Sequence, residues 1–354
     1  MGIFRFTAIK PRRMLTTSPR EAPHMKRIKD FKLLLIAACF AVAVVPRIST
    51  AQNEPLSVAS STWVGYGLLH LAAQKGFFKE AGVDVDFQTF EDKTATAAAL
   101  ASHRLDGWAT TADTFIFYNA EKLGIKQVLA VDLSKGGEGI VADSSIKTVA
   151  DLKGKSIAAE EGTSTYFFLL NVLKSAGVKI SQVDLYNMAA GDAGGAFITG
   201  RVAAAATWDP WFSKAQQRPG SHILADTGSQ PGLILDTVAF RQTVLDKRPE
   251  DVTAFINGYF KAYDYWKAHT DESNKIMAAS LGMKSEAFNK ALTGIEFISR
   301  EGNLEYIGTP LKPGKIQDVI KRGGEVYKEV GIVKEVPDSS AVVDASPLER
   351  ALKP

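Results

Sequence analysis

Cysteine is nearly absent from this sequence, in which Cys39 is the single example among 354 residues. Cys39 lies in a segment that we expect to be removed on export, so the remaining chain would contain no thiol. Disulfide bridges, thiolate catalysis and Cys-bound zinc are then excluded. Histidine is also rare, and the residues beyond position 51 are scattered without the spacing of metal ligands: His70, His103, His222 and His269.

The motifs of common enzyme classes are missing as well. The sequence has no H-E-x-x-H, G-x-S-x-G, Walker or G-x-G-x-x-G pattern, and the Gly-rich segment 136–139 (GGEG) matches none of them. Because no nucleophile, base or metal cluster is visible, the sequence disfavours an enzyme and predicts no cofactor. A stand-alone sensor is also disfavoured, since no signalling domain is visible after the α/β units.

Positive charge is concentrated at the N-terminus. Residues 1–51 contain ten of the 42 Lys and Arg residues and two of the 39 Asp and Glu residues. The rest of the chain is therefore acidic overall, although the whole sequence has a pI near 8.7. A nucleic-acid partner inferred from the overall pI is not supported.

Residues 1–51 read as an N-terminal extension followed by a signal peptide. Basic residues from Lys26 to Lys32 precede an apolar run at 33–45, and small residues at 49–51 (STA) provide a cleavage site before Gln52. The run is too short to span a bilayer comfortably. We expect export to the periplasm; the alternative is a lipid anchor at Cys39, although the apolar run continues beyond it.

Strands and helices alternate along the chain to about residue 211, and the rest is mostly helical from about Pro249. This alternation predicts an α/β fold with largely parallel sheets built from βαβ units. A weak repeat about 97 residues apart, between the segments around Arg104 and Arg201, indicates two similar lobes. The predicted strands are 56–60, 83–87, 105–110, 126–133, 156–159, 183–186 and 202–207.

Unusual residues collect in the loops that follow these strands. Ligands bind at the carboxyl ends of strands in open parallel sheets, so these loops predict a pocket with aromatic walls, hydroxyls and carboxylates. Local alternatives stay open: Thr163 or Ser164 could simply cap its own helix, and Asp209 before Pro210 is also a typical helix cap. Asp236 lies in an apolar strand, where an unpaired acid is costly.

Several segments in a fixed order carry a resemblance to a known family. They are 61–67 (STWVGYG), 76–79 (GFFK), 161–169 (EGTSTYFFL) and 207–211 (TWDPW). The chain resembles the substrate-binding proteins of ABC importers for nitrate, taurine and aliphatic sulfonates, also called NMT1/THI5-like. The resemblance implies the type II periplasmic binding protein fold, with a ligand cleft between two lobes, each a mostly parallel sheet flanked by helices.

From this resemblance we expect lobe 1 at 53–142 and 236–354, and lobe 2 at 143–235. We also expect a monomer that binds a small molecule and delivers it to an ABC permease with its ATPase. The ligand-binding residues that the resemblance implies are Ser61, Thr62, Trp63, Thr111, Asp113, Glu138, Thr163, Ser164, Thr165, Trp208, Asp209 and Asp236.

The expected solute is a sulfonate or a taurine-like molecule, with nitrate or a pyrimidine- or amine-type nutrient as alternatives. The candidate loops contain several acids but no Lys or Arg, and acids in a closed cleft repel a simple anion. We therefore expect a zwitterion. Its acidic end would contact the 163–165 amides, its amine would contact a carboxylate, and its carbon chain would lie against Trp63 and Trp208.

Overall fold

Two β-sheets form the centre of the structure. The computed structural model describes residues 54–353, apart from the side chains of residues 120 and 121, so the predicted signal peptide and Cys39 lie outside the described residues. The first sheet contains β1 (Leu56–Ser60), β2 (Val85–Thr89), β3 (Gly107–Thr111), β4 (Ile125–Ser134), β10 (Leu235–Arg241) and β11 (Ile295–Phe297). The second contains β5 (Glu138–Asp143), β6 (Ser156–Ala159), β7 (Asp184–Asn187), β8 (Ala204–Trp208) and β9 (Ser221–Asp226).

Helices surround both sheets, and a small hairpin of β12 (Gly308–Thr309) and β13 (Lys312–Pro313) follows them. The helices before β10 are α1 (Gly67–Gln74), α2 (Phe77–Ala81), α3 (Lys93–Ala101), α4 (Ala112–Phe117), α5 (Ala120–Leu123), α6 (Ser164–Ser175), α7 (Ala190–Ile198) and α8 (Trp211–Ala215). The later helices are α9 (Gln242–Lys247), α10 (Pro249–Ala268), α11 (Thr270–Ser280), α12 (Ser285–Leu292), α13 (Arg300–Tyr306), α14 (Ile316–Glu329), α15 (Ser339–Val342) and α16 (Ser346–Ala351).

The two-lobed α/β architecture is confirmed, but the sheets are mixed. The strand orders are β2-β1-β3-β10-β4-β11 and β7-β6-β8-β5-β9. Strand β1 runs parallel to β2 and β3, and β6 runs parallel to β7 and β8. Strands β10 and β5 pair antiparallel with their neighbours. The sequence predicted mostly parallel sheets. It did not reveal that β5 and β10, which adjoin the connections between the sheets, run antiparallel to their neighbours.

The chain crosses between the sheets twice. Strand β4 ends at Ser134 and β5 begins at Glu138 in the other sheet, so the first crossing precedes the predicted boundary at 142. The return crossing lies between Asp226 and Leu235, next to the predicted boundary at 236. The two connections are hydrogen-bonded to each other, since Thr227 Oγ1 lies 2.7 Å from Ser134 Oγ.

Local sequence explains why the elements near the cleft form where they do. The central strands β3 (GWATT) and β8 (AAATW) are buried along their whole length, as expected for strands covered on both faces. Helix α3 begins at a cap in which Asp92 accepts the Ala95 N–H at 2.9 Å. Helix α10 begins with Pro249, which suits the first helical position. Between residues 54 and 353, no helix combines the length and the apolar character needed to cross a membrane.

Candidate functional site

A small cavity lies between the two sheets, at the carboxyl ends of β1, β3 and β8. It has about 290 Å³ of empty volume, and both sheets supply lining residues. Its wall combines three aromatic side chains, six serine and threonine side chains, two carboxyl groups and one lysine. The lining residues are Ser61, Trp63, Tyr66, Lys93, Thr110, Thr111, Thr114, Glu138, Thr163, Ser164, Trp208 and Asp236.

Most of the residues predicted for the site meet at this cavity. Their role in ligand binding remains a prediction, but the structure brings together Ser61, Trp63, Thr111, Glu138, Thr163, Ser164, Trp208 and Asp236. Four predicted residues do not line it: Thr62, Asp113, Thr165 and Asp209. Four further residues line the cavity that were not among the predicted site residues: Tyr66, Lys93, Thr110 and Thr114.

Trp63 is fixed in the cavity wall by a buried acid. Its indole Nε1 lies 3.2 Å and 3.3 Å from the two carboxylate oxygens of Asp132, which is fully buried in β4. A short 3-10 turn at Val64–Tyr66 follows the tryptophan and brings Gly65 against this pair. A Cβ atom on Gly65 would stand 1.9 Å from Asp132 Oδ2, so only glycine permits this approach.

A second buried acid, Asp236, faces the cavity beside Asp132. The two residues are register partners on the antiparallel strands β10 and β4. The Tyr66 hydroxyl donates a hydrogen bond of 2.5 Å to Asp236 Oδ1. Burial raises the pKa of both carboxyls, and the charge of Asp236 raises the pKa of Asp132 further. Asp132 could have been found by the argument applied to Asp236, since it is also an acid within an apolar strand.

Glu138 is the third acid of the site and opens strand β5. Its Oε2 accepts a hydrogen bond of 2.5 Å from the Ser164 hydroxyl, and 1% of the residue is exposed. Burial raises the pKa of Glu138 to about 8, and the nearby Asp236 and Asp113 raise it too, against the lowering effect of the Ser164 hydrogen bond. At neutral pH this group therefore holds a proton in much of the folded population.

The threonine hydroxyls at the N-terminus of α6 form hydrogen bonds with each other and with the backbone. Thr163 is the cap: its Oγ1 accepts the Tyr166 N–H at 3.4 Å and donates to the Glu160 carbonyl at 2.7 Å. Thr165 Oγ1 lies 3.0 Å from Thr163 Oγ1, behind the cavity wall. The simple capping interpretation therefore applies to Thr163, although this residue also lines the cavity.

Lys93 corrects the expectation that no cation faces the site. It begins α3, in the loop after β2, and only 4% of it is exposed. Its Nζ lies 5.3 Å from the ring centroid of Trp208, and its backbone N–H donates to Glu160 Oε1 at 3.0 Å. The loop after β2 reaches the same edge of the sheet as the loops after β1 and β3, so the position of Lys93 follows the rule that ligands bind at strand ends.

The predicted residues outside the cavity wall have local partners instead. Thr62 donates its backbone N–H to Glu91 Oε1 at 3.0 Å. Asp113 is buried and accepts from the Tyr327 hydroxyl at 3.3 Å, and burial raises its pKa to about 6. Asp209 accepts the Ser213 N–H at 2.8 Å, which is the capping role left open by the sequence. Within residues 54–353, no cluster of His, Cys, Asp and Glu is arranged to hold a metal ion.

Residues 66–273 match the protein family described as "NMT1/THI5 like". A putative binding protein of Brucella abortus is 26% identical over 283 residues, which cover 76% of this chain and 87% of the relative. The taurine-binding periplasmic protein of Escherichia coli is 27% identical over 202 residues, covering 56% of this chain and 62% of the relative.

Solved structures share the fold at lower identity. The periplasmic aliphatic sulphonate binding protein SsuA of Escherichia coli superposes with a TM-score of 0.67 at 21% identity, covering 82% of this chain and 92% of the other. The desulfurization enzyme DSZB superposes with a TM-score of 0.60 at 14% identity, covering 84% and 98%. The match over 66–273 spans more than half of the sequence, and the chain belongs to the NMT1/THI5-like family.

Proposed function

We propose that this protein is an extracytoplasmic solute-binding protein that captures a small sulfonate- or taurine-like organic solute for an ABC permease and its ATPase. The observation that carries the proposal is the buried cavity between the two sheets, with aromatic walls and a few polar groups. Relatives named as binding proteins, one for taurine, support the same function.

The cavity suits a solute of a few heavy atoms. The empty volume of about 290 Å³ includes space open to solvent, so it is an upper bound on the room for a solute in this conformation. Trp63 and Trp208 provide apolar surface for a short carbon chain, while Lys93 provides a basic group and Glu138 and Asp236 provide acidic groups. A wall with basic and acidic groups matches a molecule that carries an acidic group and an amine better than it matches nitrate.

Capture would use the two sheets as lobes of a clamshell. The sequence predicts lobes at 53–142 with 236–354 and at 143–235. The chain crosses between the sheets at 135–137 and 227–234, and we place the lobe boundaries at these crossings. The protein would act as a monomer in the periplasm, after removal of the signal peptide at residues 1–51. Two connections between the lobes form a hinge, and closure about this hinge can enclose a bound solute.

Binding without chemistry is the proposed activity, even though an enzyme shares this fold. The cavity wall contains no cysteine and no histidine, and its hydroxyls at Thr163 and Ser164 donate to a carbonyl and a carboxylate.

Isothermal titration of the purified protein with taurine, ethanesulfonate, nitrate, a hydroxymethyl pyrimidine and ethylamine tests this function. We expect taurine or ethanesulfonate to bind most tightly and to raise the melting temperature, with about 2.7 kcal/mol of stabilisation at a hundredfold excess over Kd. Tighter binding of nitrate or the pyrimidine would contradict the solute class. Release of sulfite from either sulfonate would contradict the assignment as a binder.

A further inference from the structure

We propose that the anionic end of the solute is bound by the Lys93 ammonium and the Trp208 indole N–H, from opposite sides of the cleft, and not by the N-terminus of α6. This inference rests on the proposed function, because it names which end of the cavity recognises the acidic group. It makes Lys93 the residue that selects for an anion.

Lys93 is a buried cation that faces the cavity. Only 4% of the residue is exposed, and no carboxylate of the described residues lies within ion-pair distance of its Nζ. The backbone N–H of Lys93 donates to Glu160 Oε1, so this hydrogen bond does not involve the Lys93 ammonium. A buried ammonium without a paired anion is costly, and an anionic solute group would offset that cost.

Trp208 supplies a second donor without an acceptor. Its Nε1 is buried and has no hydrogen-bond partner among residues 54–353, although the ring lines the cavity. An indole N–H can only donate, and buried polar groups in folded proteins nearly always have a partner. Trp208 ends β8 in the second sheet and Lys93 begins α3 beside the first, so an anion between them contacts both lobes.

The two hydroxyls at the N-terminus of α6 are already used as hydrogen-bond donors. The Thr163 hydroxyl donates to the Glu160 carbonyl and the Ser164 hydroxyl donates to Glu138, so neither is available as a donor. The placement therefore differs from the one expected from the sequence, which put the acidic end on the 163–165 amides.

Glu160 is the acid whose charge acts most strongly on the Lys93 ammonium, and it provides a further check. Its Oε1 accepts the Lys93 N–H, while its Oε2 is buried without a partner among the described residues. Burial lowers the pKa of Lys93, whereas the charge of Glu160 favours the charged form of Lys93 and disfavours a second anion nearby. Replacing it with the neutral isostere Gln keeps an acceptor for the Lys93 N–H and removes that repulsion, so anion affinity should rise.

The test titrates wild type, Lys93→Met, Trp208→Phe, Glu160→Gln and Ser164→Ala with ethanesulfonate, taurine and ethylamine. Lys214→Met is the matched control, because Lys214 also lies over a tryptophan, 4.2 Å from the Trp211 ring centroid, but outside the cavity. We expect Lys93→Met to weaken both sulfonates by about tenfold to a hundredfold. Trp208→Phe, which retains the ring, should weaken them less, and Glu160→Gln should strengthen them.

The proposal is overturned if Lys93→Met leaves sulfonate affinity unchanged, if it weakens ethylamine equally, or if Ser164→Ala costs more sulfonate affinity than Lys93→Met. If wild type binds neither sulfonate, the proposed solute class fails, and inorganic sulfate then tests the anion site by itself. Sulfate should raise the melting temperature of wild type and Lys214→Met but not that of Lys93→Met. Equal or absent shifts in all three would overturn the inference.

Discussion

The Tyr66 hydroxyl donates to Asp236 Oδ1 at 2.5 Å, which ties the turn after β1 to the strand that returns from the second lobe. Both residues are buried, and the hydrogen bond stabilises the charged form of Asp236. The contact joins residues 170 positions apart in the sequence, so it forms only when the first sheet is assembled.

Tyr66→Phe should destabilise the protein by about 1–3 kcal/mol, because it leaves a buried carboxylate oxygen without its donor. Urea unfolding at pH 7 measures the loss. Tyr265→Phe is the matched control, since Tyr265 donates to Glu272 at 2.9 Å at an exposed site, where the loss should be under about 1 kcal/mol. Equal losses in the two variants would show that the buried hydrogen bond has no special weight.

Stability should fall as the pH rises from about 6.5 to 8. Burial raises the pKa of Glu138 to about 8, so in this range the folded protein binds a proton that the unfolded chain has released. His70, whose pKa burial lowers to about 4, opposes this trend only below its ordinary value of 6.5. Denaturant unfolding at pH 6.5, 7.2 and 8 measures the slope.

Glu138→Gln should reduce that slope, because it removes one of the buried acids whose proton is lost, while Asp236, whose pKa burial raises to about 7, still contributes to it. The exposed Glu296 provides the control: it contacts Lys135 on the surface, and Glu296→Gln should leave the slope unchanged. A Glu138→Gln protein whose stability still falls as steeply as that of wild type would assign the pH dependence to other groups.

Gly65→Ala should destabilise the protein by about 1–3 kcal/mol or more, because the added Cβ would stand 1.9 Å from Asp132 Oδ2 and 2.5 Å from Trp63 Nε1. Thermal unfolding measures the change. Gly195→Ala is the control, since a Cβ there meets nothing within 4 Å and alanine favours helix α7, so the protein should be unchanged or slightly more stable. A similar loss in both variants would refute the steric argument.

Much of this structure could be predicted from local pattern. Alternating strands and helices gave the two α/β lobes, and the rule that ligands bind at strand ends located Trp63, Thr111 and Trp208 at one cavity. These features depend only on the periodicity and spacing of residues along the chain, which can be read directly from the sequence.

The missed features depend on contacts between distant segments. Lys93 faces the site because β2 lies beside β1, and Asp132 belongs to it because β4 pairs with β10. Thr163 and Ser164 direct their hydroxyls to Glu160 and Glu138, which no helix-start pattern reveals. Such pairings appear only once the strand order is known.

Thr227→Val should loosen the connections between the proposed lobes. The buried Thr227 Oγ1 lies 2.7 Å from Ser134 Oγ and accepts the Gly136 N–H at 2.8 Å, so valine removes both contacts at nearly constant volume. Small-angle scattering should show wild type contracting with saturating taurine, and the variant starting from a larger radius of gyration. Thr199→Val, at an exposed helix end, is the control. An unchanged radius of wild type with bound solute would refute the clamshell.

Asp236→Asn and Asp209→Asn should separate a solute contact from a helix cap. Asp236 lines the cavity and would face the amine of the solute, so its loss of charge should weaken taurine by about tenfold while affecting ethanesulfonate less. Asp209 instead accepts the Ser213 N–H, which asparagine can also do, so both affinity and stability should change little. Isothermal titration of both variants with both solutes decides between these roles. Unchanged taurine affinity in Asp236→Asn would show that Asp236 does not contact the amine. A loss of affinity in Asp209→Asn alone would instead assign the amine contact to Asp209.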